Sequence, residues 1–383
     1  MTGVDAGLLD RVREVLADDV GQPSPGRVAA AVRSTGAVLG GARLLDVVDA
    51  VHAELSGAGP LQNLLADPDI TDVLVNGMAG VWVDRGSGLC RVPLDLGTAD
   101  DIRRLAVRLA AVAGRRLDDA SPWVDARLPD GARLHAVLPP IVHGAAHISL
   151  RIPRRRALSL ADLVRTGTVP SAWEGVLRAL VSARAAYLVT GGTGVGKTTL
   201  LAALLAIVPG GERLVVVEDA AELYVDHPHV IRLEGRAPNV EGSGGVSMTD
   251  LVRQALRMRP DRLVVGEVRG PEVRDLLAAL NTGHEGGSGT LHANTSGDLP
   301  ARLEALGALA GLDRPAVTAQ AGSAIEAVVH LRHQDGQRCV TEVAAVLPGR
   351  SAMAVLPALS REPGGRLVQG PGWPALASRL GLR

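Results

Sequence analysis

Ala186-Tyr187-Leu188-Val189-Thr190-Gly191-Gly192-Thr193-Gly194-Val195-Gly196-Lys197-Thr198-Thr199 is the stretch from which the fold can be read. Its first half, AYLVTG, is a continuous run with β-branched residues, as in a central strand buried on both faces of a parallel sheet. Its end opens TTLLAALLAIV (198–208), an apolar run that reads as a helix. Between them Gly191 to Thr198 fits G-x-x-x-x-G-K-[ST] at every position. Glycines let backbone N–H groups close around an anion where side chains would obstruct, and the helix N-terminus adds its dipole. Gly191, Gly192, Thr193, Gly194, Val195, Gly196, Lys197, Thr198 and Thr199 are therefore the predicted nucleotide-binding residues. Lys197 should reach the β- and γ-phosphates of ATP, and Thr198 should bind Mg²⁺. A plain Gly-rich turn between strand and helix is the bland alternative, and the full match in the right context disfavours it.

Two further runs of the same kind end in acids. RLVVVED (213–219) ends in Glu218-Asp219 and RLVVGE (262–267) in Glu267. A carboxylate at the C-terminal end of such a strand faces the ligand crevice of an open α/β sheet. ATP hydrolysis needs groups of this type to hold the Mg²⁺ shell, partly through water, and to orient or deprotonate the attacking water. Acids also end strands simply because turns are polar, but two acidic strands within a hundred residues of a phosphate loop favour the functional reading. NTGHEGGSGTLHANT (281–295) follows, and its His284 and His292 are candidates to sense the γ-phosphate. No Cys accompanies them and their spacing is not that of a short zinc pair. Arginine is the planar, always-charged partner for phosphate oxygens. Most arginines here, including Arg236, Arg257, Arg259 and Arg262, read as surface charges. Arg133 and Arg151 stand apart because they lie on predicted strands beside a linker, from which they could swing over the nucleotide.

A chain of 383 residues exceeds one ordinary core, so two or three domains are expected. Residues 1–57 read as a helical segment, with Leu8, Leu9, Val12 and Val15 at helical spacing and a second run at 44–55. Residues 58–151 read as a smaller α/β domain of strands, two hairpins and one helix near 99–113. A linker is expected at 152–163, and an α/β ATPase domain at 164–383 that contains a hairpin near 328–347. The Pro- and Gly-rich tail after Ser360 is expected to be poorly ordered. The formal net charge of −1 gives no global attraction to nucleic acid, and with aromatics at 2% base-stacking platforms are scarce, so no direct nucleic-acid contact is expected. Two distant cysteines point to a reducing compartment. No secretion signal or bilayer-length apolar run is visible, so a cytoplasmic protein is expected.

From about Pro60 to Leu347 the chain resembles the secretion-type ATPases of type II and type IV systems, most closely the tight-adherence (Flp) pilus assembly ATPases of the TadA/CpaF-like branch. DPDITDVLVNG and ARLPDGARLHAVLPP resemble its N-terminal domain, GGTGVGKTTLLAAL its phosphate loop and VVVEDAAEL its acidic box. LVRQALRMRPDRLVVGEVRG resembles its Walker B region and LNTGHEGGSGTLHANT its histidine box, although Gly289 stands where a serine is expected. The resemblance implies a RecA-like motor domain, a preceding α/β domain on a flexible linker, and a homo-oligomer in the form of a hexameric ring. It implies that ATP turnover drives pilin assembly through an inner-membrane platform protein, with the motor peripheral at the cytoplasmic face. It further implies that Glu218 and Glu267 are the catalytic acids, that His284 and His292 form the histidine-box pair, and that Arg133 and Arg151 are brought to the nucleotide. The alternatives are a type IV secretion or conjugation ATPase exporting protein or DNA, a nucleic-acid motor, and a nucleotide-gated scaffold without turnover. The presence of both Glu218 and Glu267 counts against the scaffold.

Replacing Lys197 with Ala should abolish turnover and weaken ATP binding, because the γ-phosphate loses its fixed counter-charge. Electrostatic groups of this kind are worth roughly 10² to 10³ in rate. Near-normal ATPase activity in Lys197→Ala would overturn the assignment of the loop.

Overall fold

The structure is a computed structural model that describes residues 11, 12, 15, 25–36, 48, 57–86, 88–152, 157–236, 243–334, 336–349, 353–362 and 364–382. It divides into two units, residues 1–155 and 156–383, and the division falls inside the stretch expected to be a linker. Of the N-terminal helical stretch, helix α1 (Pro25–Ser34) is described, with Val28, Ala31 and Val32 buried. Leu8, Leu9 and most of the run at 44–55 lie outside the described residues, as do Arg154 to Arg156.

The first unit continues with the short α2 (Gln62–Ala66) and a six-stranded sheet. Its strands are β1 (Asp72–Asn76), β2 (Val81–Asp84), β3 (Leu89–Val92), β4 (Trp123–Arg127), β5 (Arg133–Val137) and β6 (His147–Arg151), in the order β3-β2-β1-β6-β5-β4. Every neighbouring pair is antiparallel, so one face can be apolar and the other wet. Helix α3 (Ala99–Val112) covers the apolar face. A capping box between Thr98 and Asp101 starts it, and Ile102, Leu105, Ala106 and Leu109 pack on Val73, Val75, Leu134 and Ile148. On the opposite face Arg133 pairs in register with Arg151, and Arg151 with Asp72.

The second unit is a nine-stranded sheet between two helical layers. Its strands are β7 (Tyr187–Gly191), β8 (Leu214–Glu218), β9 (Val230–Glu234), β10 (Arg262–Val268), β11 (Ser288–His292), β12 (Ala327–Gln334), β13 (Gln337–Leu347), β14 (Ala354–Arg361) and β15 (Leu367–Gln369), in the order β15-β14-β13-β12-β7-β11-β10-β8-β9. The six from β12 to β9 run parallel, and β13 to β15 add an antiparallel extension. The helices are α4 (Leu160–Arg165), α5 (Glu174–Ser182), α6 (Lys197–Leu205), α7 (Met248–Arg257), α8 (Val273–Leu280), α9 (Leu299–Leu309), α10 (Arg314–Ala324) and α11 (Trp373–Leu380). The period-two geometry of the strands sends Tyr187, Val189, Leu214 and Val216 into the core with α4, α5, α6 and α11. Leu188, Val215, Val217 and Val265 enter the core with α7, α8, α9 and α10. Because both faces are covered, the central strands read as unbroken apolar runs. Beyond Lys197-Thr198-Thr199, helix α6 is apolar all round, as its burial from Leu200 to Leu205 requires.

Three features differ from the sequence expectation. The tail after Ser360 is not irregular: it forms β15 and α11, and Leu376 and Leu380 join the core. β11 is a fully paired central strand although Ser288-Gly289-Thr290 lacks a strand pattern. Arg262, expected on the surface, is 1% exposed and lies at the start of β10, where Glu212 receives its Nε at 2.7 Å and Arg184 at 3.2 Å. Among the described residues no helix is long and apolar enough to cross a membrane.

Removing one partner of a buried ion pair leaves the other charged and uncompensated, at a cost of about 3 kcal/mol or more. Glu212→Ala should therefore lower the stability of the second unit by about that amount, measured as a shift of its denaturant midpoint at unchanged slope. A midpoint equal to wild type would show that Arg262 is compensated by other groups.

Candidate active site at the C-terminal edge of the parallel strands

The phosphate loop leaves β7 at Gly191 and enters α6 at Lys197, as the strand–loop–helix pattern requires. Gly191 has φ +149°, and a Cβ there would lie 2.5 Å from the Leu331 carbonyl oxygen on β12. Only glycine lets the chain leave the sheet at that angle while β12 stays paired beside it. Lys197 is 9% exposed, and its Nζ donates to the carbonyls of Gly191 at 3.1 Å and Gly192 at 2.8 Å. Burial pushes its pKa down, while the carboxylates of Glu267 and Glu222 push it back up. Lys197 is thus a poised cation held over the loop with two acids near it. Glu222 was not singled out from the sequence, where it is one polar residue in a loop after the acidic strand.

β11 separates β7 from β10, and β8 lies on the far side of β10. Since all four run parallel, their C-terminal ends line one edge. His292 pairs in register with Gly191, which places the end of the histidine box beside the start of the phosphate loop. Glu267 is 38% exposed, and its carboxylate lies 3.5 Å from the Arg269 guanidinium, which also lies 3.5 Å from Asp219. Arg269 was likewise not singled out from the sequence.

Glu218 is a different kind of acid. It is 5% exposed, and one carboxylate oxygen accepts the backbone N–H groups of Glu222 at 3.0 Å and Leu223 at 2.9 Å. Burial raises its pKa, against the lowering effect of those two hydrogen bonds. Its side chain lies over Gly266, where a Cβ would come within 2.6 Å of its Cγ. The Gly before Glu267 is therefore a steric requirement of the acid on the next strand. Glu218 closes the 219–223 loop, and Glu267 is the more accessible carboxylate.

Two predicted groups are not brought to this edge within the second unit. His284 follows α8 and precedes β11, at the opposite edge of the sheet from Gly191. Its ring Nδ1 lies 3.3 Å from the Ala279 carbonyl, and Gly286, two residues on, lies against Arg262 and Arg184. A full strand length, roughly 15 Å at about 3.3 Å per residue, separates it from His292. The predicted His284–His292 pair is therefore not a pair in space, because His284 precedes β11 and His292 ends it. Arg133 and Arg151 belong to the first unit, where Arg133 pairs with Asp125 at 2.9 Å and Arg151 with Asp72 at 3.2 Å. Gly289, the departure from the expected serine, has a physical reason: a Cβ there would lie 2.7 Å from the Val265 carbonyl oxygen of β10.

The loop fits a nucleoside triphosphate: glycine backbone, a helix N-terminus and a buried cation converge on one point. For Mg²⁺ the donor set is sparse. Among the described residues no group of three or more His, Cys, Asp or Glu residues could hold a metal ion. Mg²⁺ brought in with phosphate oxygens and waters would take Thr198 as a direct donor and Glu218 and Glu267 through water.

The sequence model of a family described as "Type II/IV secretion system protein" matches residues 54–358, a span that enters both units. The chain is 52% identical over 316 residues to a "Putative conjugal transfer protein" of Mycobacterium tuberculosis (strain ATCC 25618 / H37Rv), covering 81% of this chain and 90% of that one. It is 36% identical over 252 residues to the type IV secretion system protein PtlH of Bordetella pertussis, covering 60% of this chain and 74% of that one. In fold it is similar to the ATPase DotB of Legionella pneumophila, with a TM-score of 0.55 at 20% identity over 74% of this chain and 79% of that one.

The two acids should separate experimentally. Glu267→Gln should still bind ATP while turnover falls by about two orders of magnitude, the usual worth of a general base. Glu218→Gln can still accept both loop N–H groups, yet it removes a carboxylate whose ionised form is disfavoured by burial. A group whose folded pKa is raised loses stability as pH rises through that value. The melting temperature of Glu218→Gln relative to wild type should therefore rise as pH climbs above the ordinary carboxylate range and level off once the raised Glu218 value is passed. An identical pH dependence in both proteins would refute the buried-charge account.

Proposed function

We propose, from the fact that the chain belongs to the type II/IV secretion system protein family, that it is the ATP-driven motor of a type IV secretion or conjugal-transfer machine. The chain is an ATPase, and one observation carries the reading of its chemistry: the phosphate loop, His292, Glu267 and Glu218 stand side by side on the ends of parallel strands. In this reading the loop amides and Lys197 hold the β- and γ-phosphates, and Thr198 meets Mg²⁺. Glu267 orients and deprotonates the attacking water, and His292 senses the γ-phosphate. Glu218 holds the 219–223 loop, which keeps Glu222 near Lys197, and contributes to the Mg²⁺ shell through water. The cargo class rests on the relatives, whose names refer to conjugal transfer and type IV secretion. The tight-adherence pilus reading rests on the motif resemblance alone, and the relatives favour the secretion and transfer class over it.

The ring and the arginines belong to the same proposal. A site at strand ends is open on one side, and a head-to-tail contact between copies closes it and, repeated, closes a ring. Arg133 and Arg151, on adjacent strands of the first unit, are proposed to complete the nucleotide site across such a contact. The motor docks on a membrane-embedded partner at the cytoplasmic face.

Deleting the gene in its host and scoring DNA transfer, protein export and surface filaments separates the cargo classes. Loss of filaments with transfer and export intact would replace the proposed cargo by pilin. For the ring, specific ATPase activity should rise with protein concentration, because an arginine supplied across a gap can raise turnover by roughly 10³ to 10⁵. Mixing Glu267→Gln with Arg151→Ala subunits should restore part of the activity. No recovery in confirmed mixed oligomers would mean that Arg151 does not act across the contact.

A further inference from the structure

One buried titratable side chain of the second unit has no part in the site described above. His330 is 3% exposed in the middle of β12. Its register partners are Thr190 on β7, the residue before Gly191, and Glu342 on β13. Its Nδ1 lies 2.9 Å from the Thr190 hydroxyl. Its Nε2 is buried with no hydrogen-bond partner at bonding distance among the described residues. The backbone of Asn294, two residues beyond His292, faces the ring and favours a proton on it. The Asn294 carbonyl accepts Arg332 Nη2 of β12 at 3.1 Å. Two residues further on, the Ser296 hydroxyl donates to Glu342. The segment that leaves β11 is therefore held to β12 and β13 by a short row of polar contacts, and β11 and β12 flank the phosphate-loop strand β7.

We propose that His330 is a positioning residue for ATP hydrolysis, tying the phosphate-loop strand through Thr190 to the segment that follows His292 through the Asn294 carbonyl. A neutral imidazole suits this: one nitrogen accepts from Thr190 while the other donates. Burial holds the His330 pKa down at about 4, with Arg332 and Lys197 acting in the same direction and Asp298 against them, so the ring is neutral at working pH. A buried N–H without a partner is costly, so in this proposal Nε2 closes on the Asn294 carbonyl. Closing it moves the 293–296 segment toward β12, and with it His292 relative to Gly191. The two sides of the γ-phosphate position are then set by one ring.

The proposal rests on the chain hydrolysing ATP at the phosphate loop, and the test keeps the two apart. An Asn side chain at 330 places a polar atom near that of Nδ1, and a Gln side chain places one near that of Nε2. His330→Asn and His330→Leu should lower kcat about tenfold or more while the Kd for Mg²⁺-ATP changes less than about threefold, because misplacement by about 1 Å can cost roughly 10²-fold in rate. His330→Gln should retain more turnover than His330→Asn. In hydrogen exchange with a non-hydrolysable ATP analogue, wild type should protect the amides of 293–298. His330→Asn should lose that protection and keep it at 191–199. If His330→Leu does not fold, the Asn and Gln variants decide alone, with Thr190→Val expected to lower kcat as His330→Asn does. Wild-type kcat in His330→Asn would overturn the proposal. So would a parallel loss of kcat, nucleotide affinity and thermal stability in every variant, the mark of packing alone. A wild-type protein that binds ATP without turnover would sink the ATPase reading, while the exchange pattern would still decide the role of His330.

Discussion

The parallel pairing of β7 with β11 on one side and β12 on the other is the constraint on which the rest of the second unit depends. A strand with parallel neighbours on both sides is buried on both faces, so its residues must be apolar and its crossovers must be helices. Those helices supply the two covering layers. Parallel direction also puts every C-terminal strand end at one edge, so His292, Glu267 and Glu218 reach the phosphate loop although up to 101 positions separate them from Gly191 in sequence. The tight approach of β12 to Gly191 shows how little freedom is left: a methyl group in the wrong place would separate the strands.

Electrostatics at that edge follow from the same packing. Lys197 and Glu218 are both buried, and in both burial works against the charge. The fold compensates each differently. Lys197 has two loop carbonyls and two nearby acids, whereas Glu218 has two backbone N–H groups and an empty Cβ position on Gly266. Glu267 is left half-exposed beside Arg269, where a water can reach it. Two acids that look alike in sequence therefore carry different chemistry, because one ends an interior strand beneath a loop and the other faces the crevice.

The first unit is built on the opposite principle. Its sheet is antiparallel with one helix on one face, so strands alternate between apolar and polar residues and hairpins join them. The wet face carries a lateral row that includes Arg133, Arg151 and Asp72, each paired with or beside an opposite charge. Exposed ion pairs of this kind add little stability and leave their arginines available for exchange with a stronger anion.

The phosphate loop, the acidic strands and the division into a hairpin-containing α/β module and a strand–helix ATPase module are legible in the residues alone. Each of these rests on local chemistry: glycines for anion contact, continuous β-branched runs for burial, alternation and turn residues for hairpins. Tertiary structure alone decided which of the predicted residues meet. His292 pairs with Gly191 while His284 falls at the far edge, because the Gly-rich stretch between them contains a central strand. The same strand leaves no room for a Cβ at Gly289 on this backbone, where the Val265 carbonyl approaches, and tertiary contacts brought out Glu222, Arg269 and His330, which the patterns around them did not single out. The tail became ordered for a non-local reason too: β15 and α11 are held by β14 and by a core whose other members reach back to Leu160.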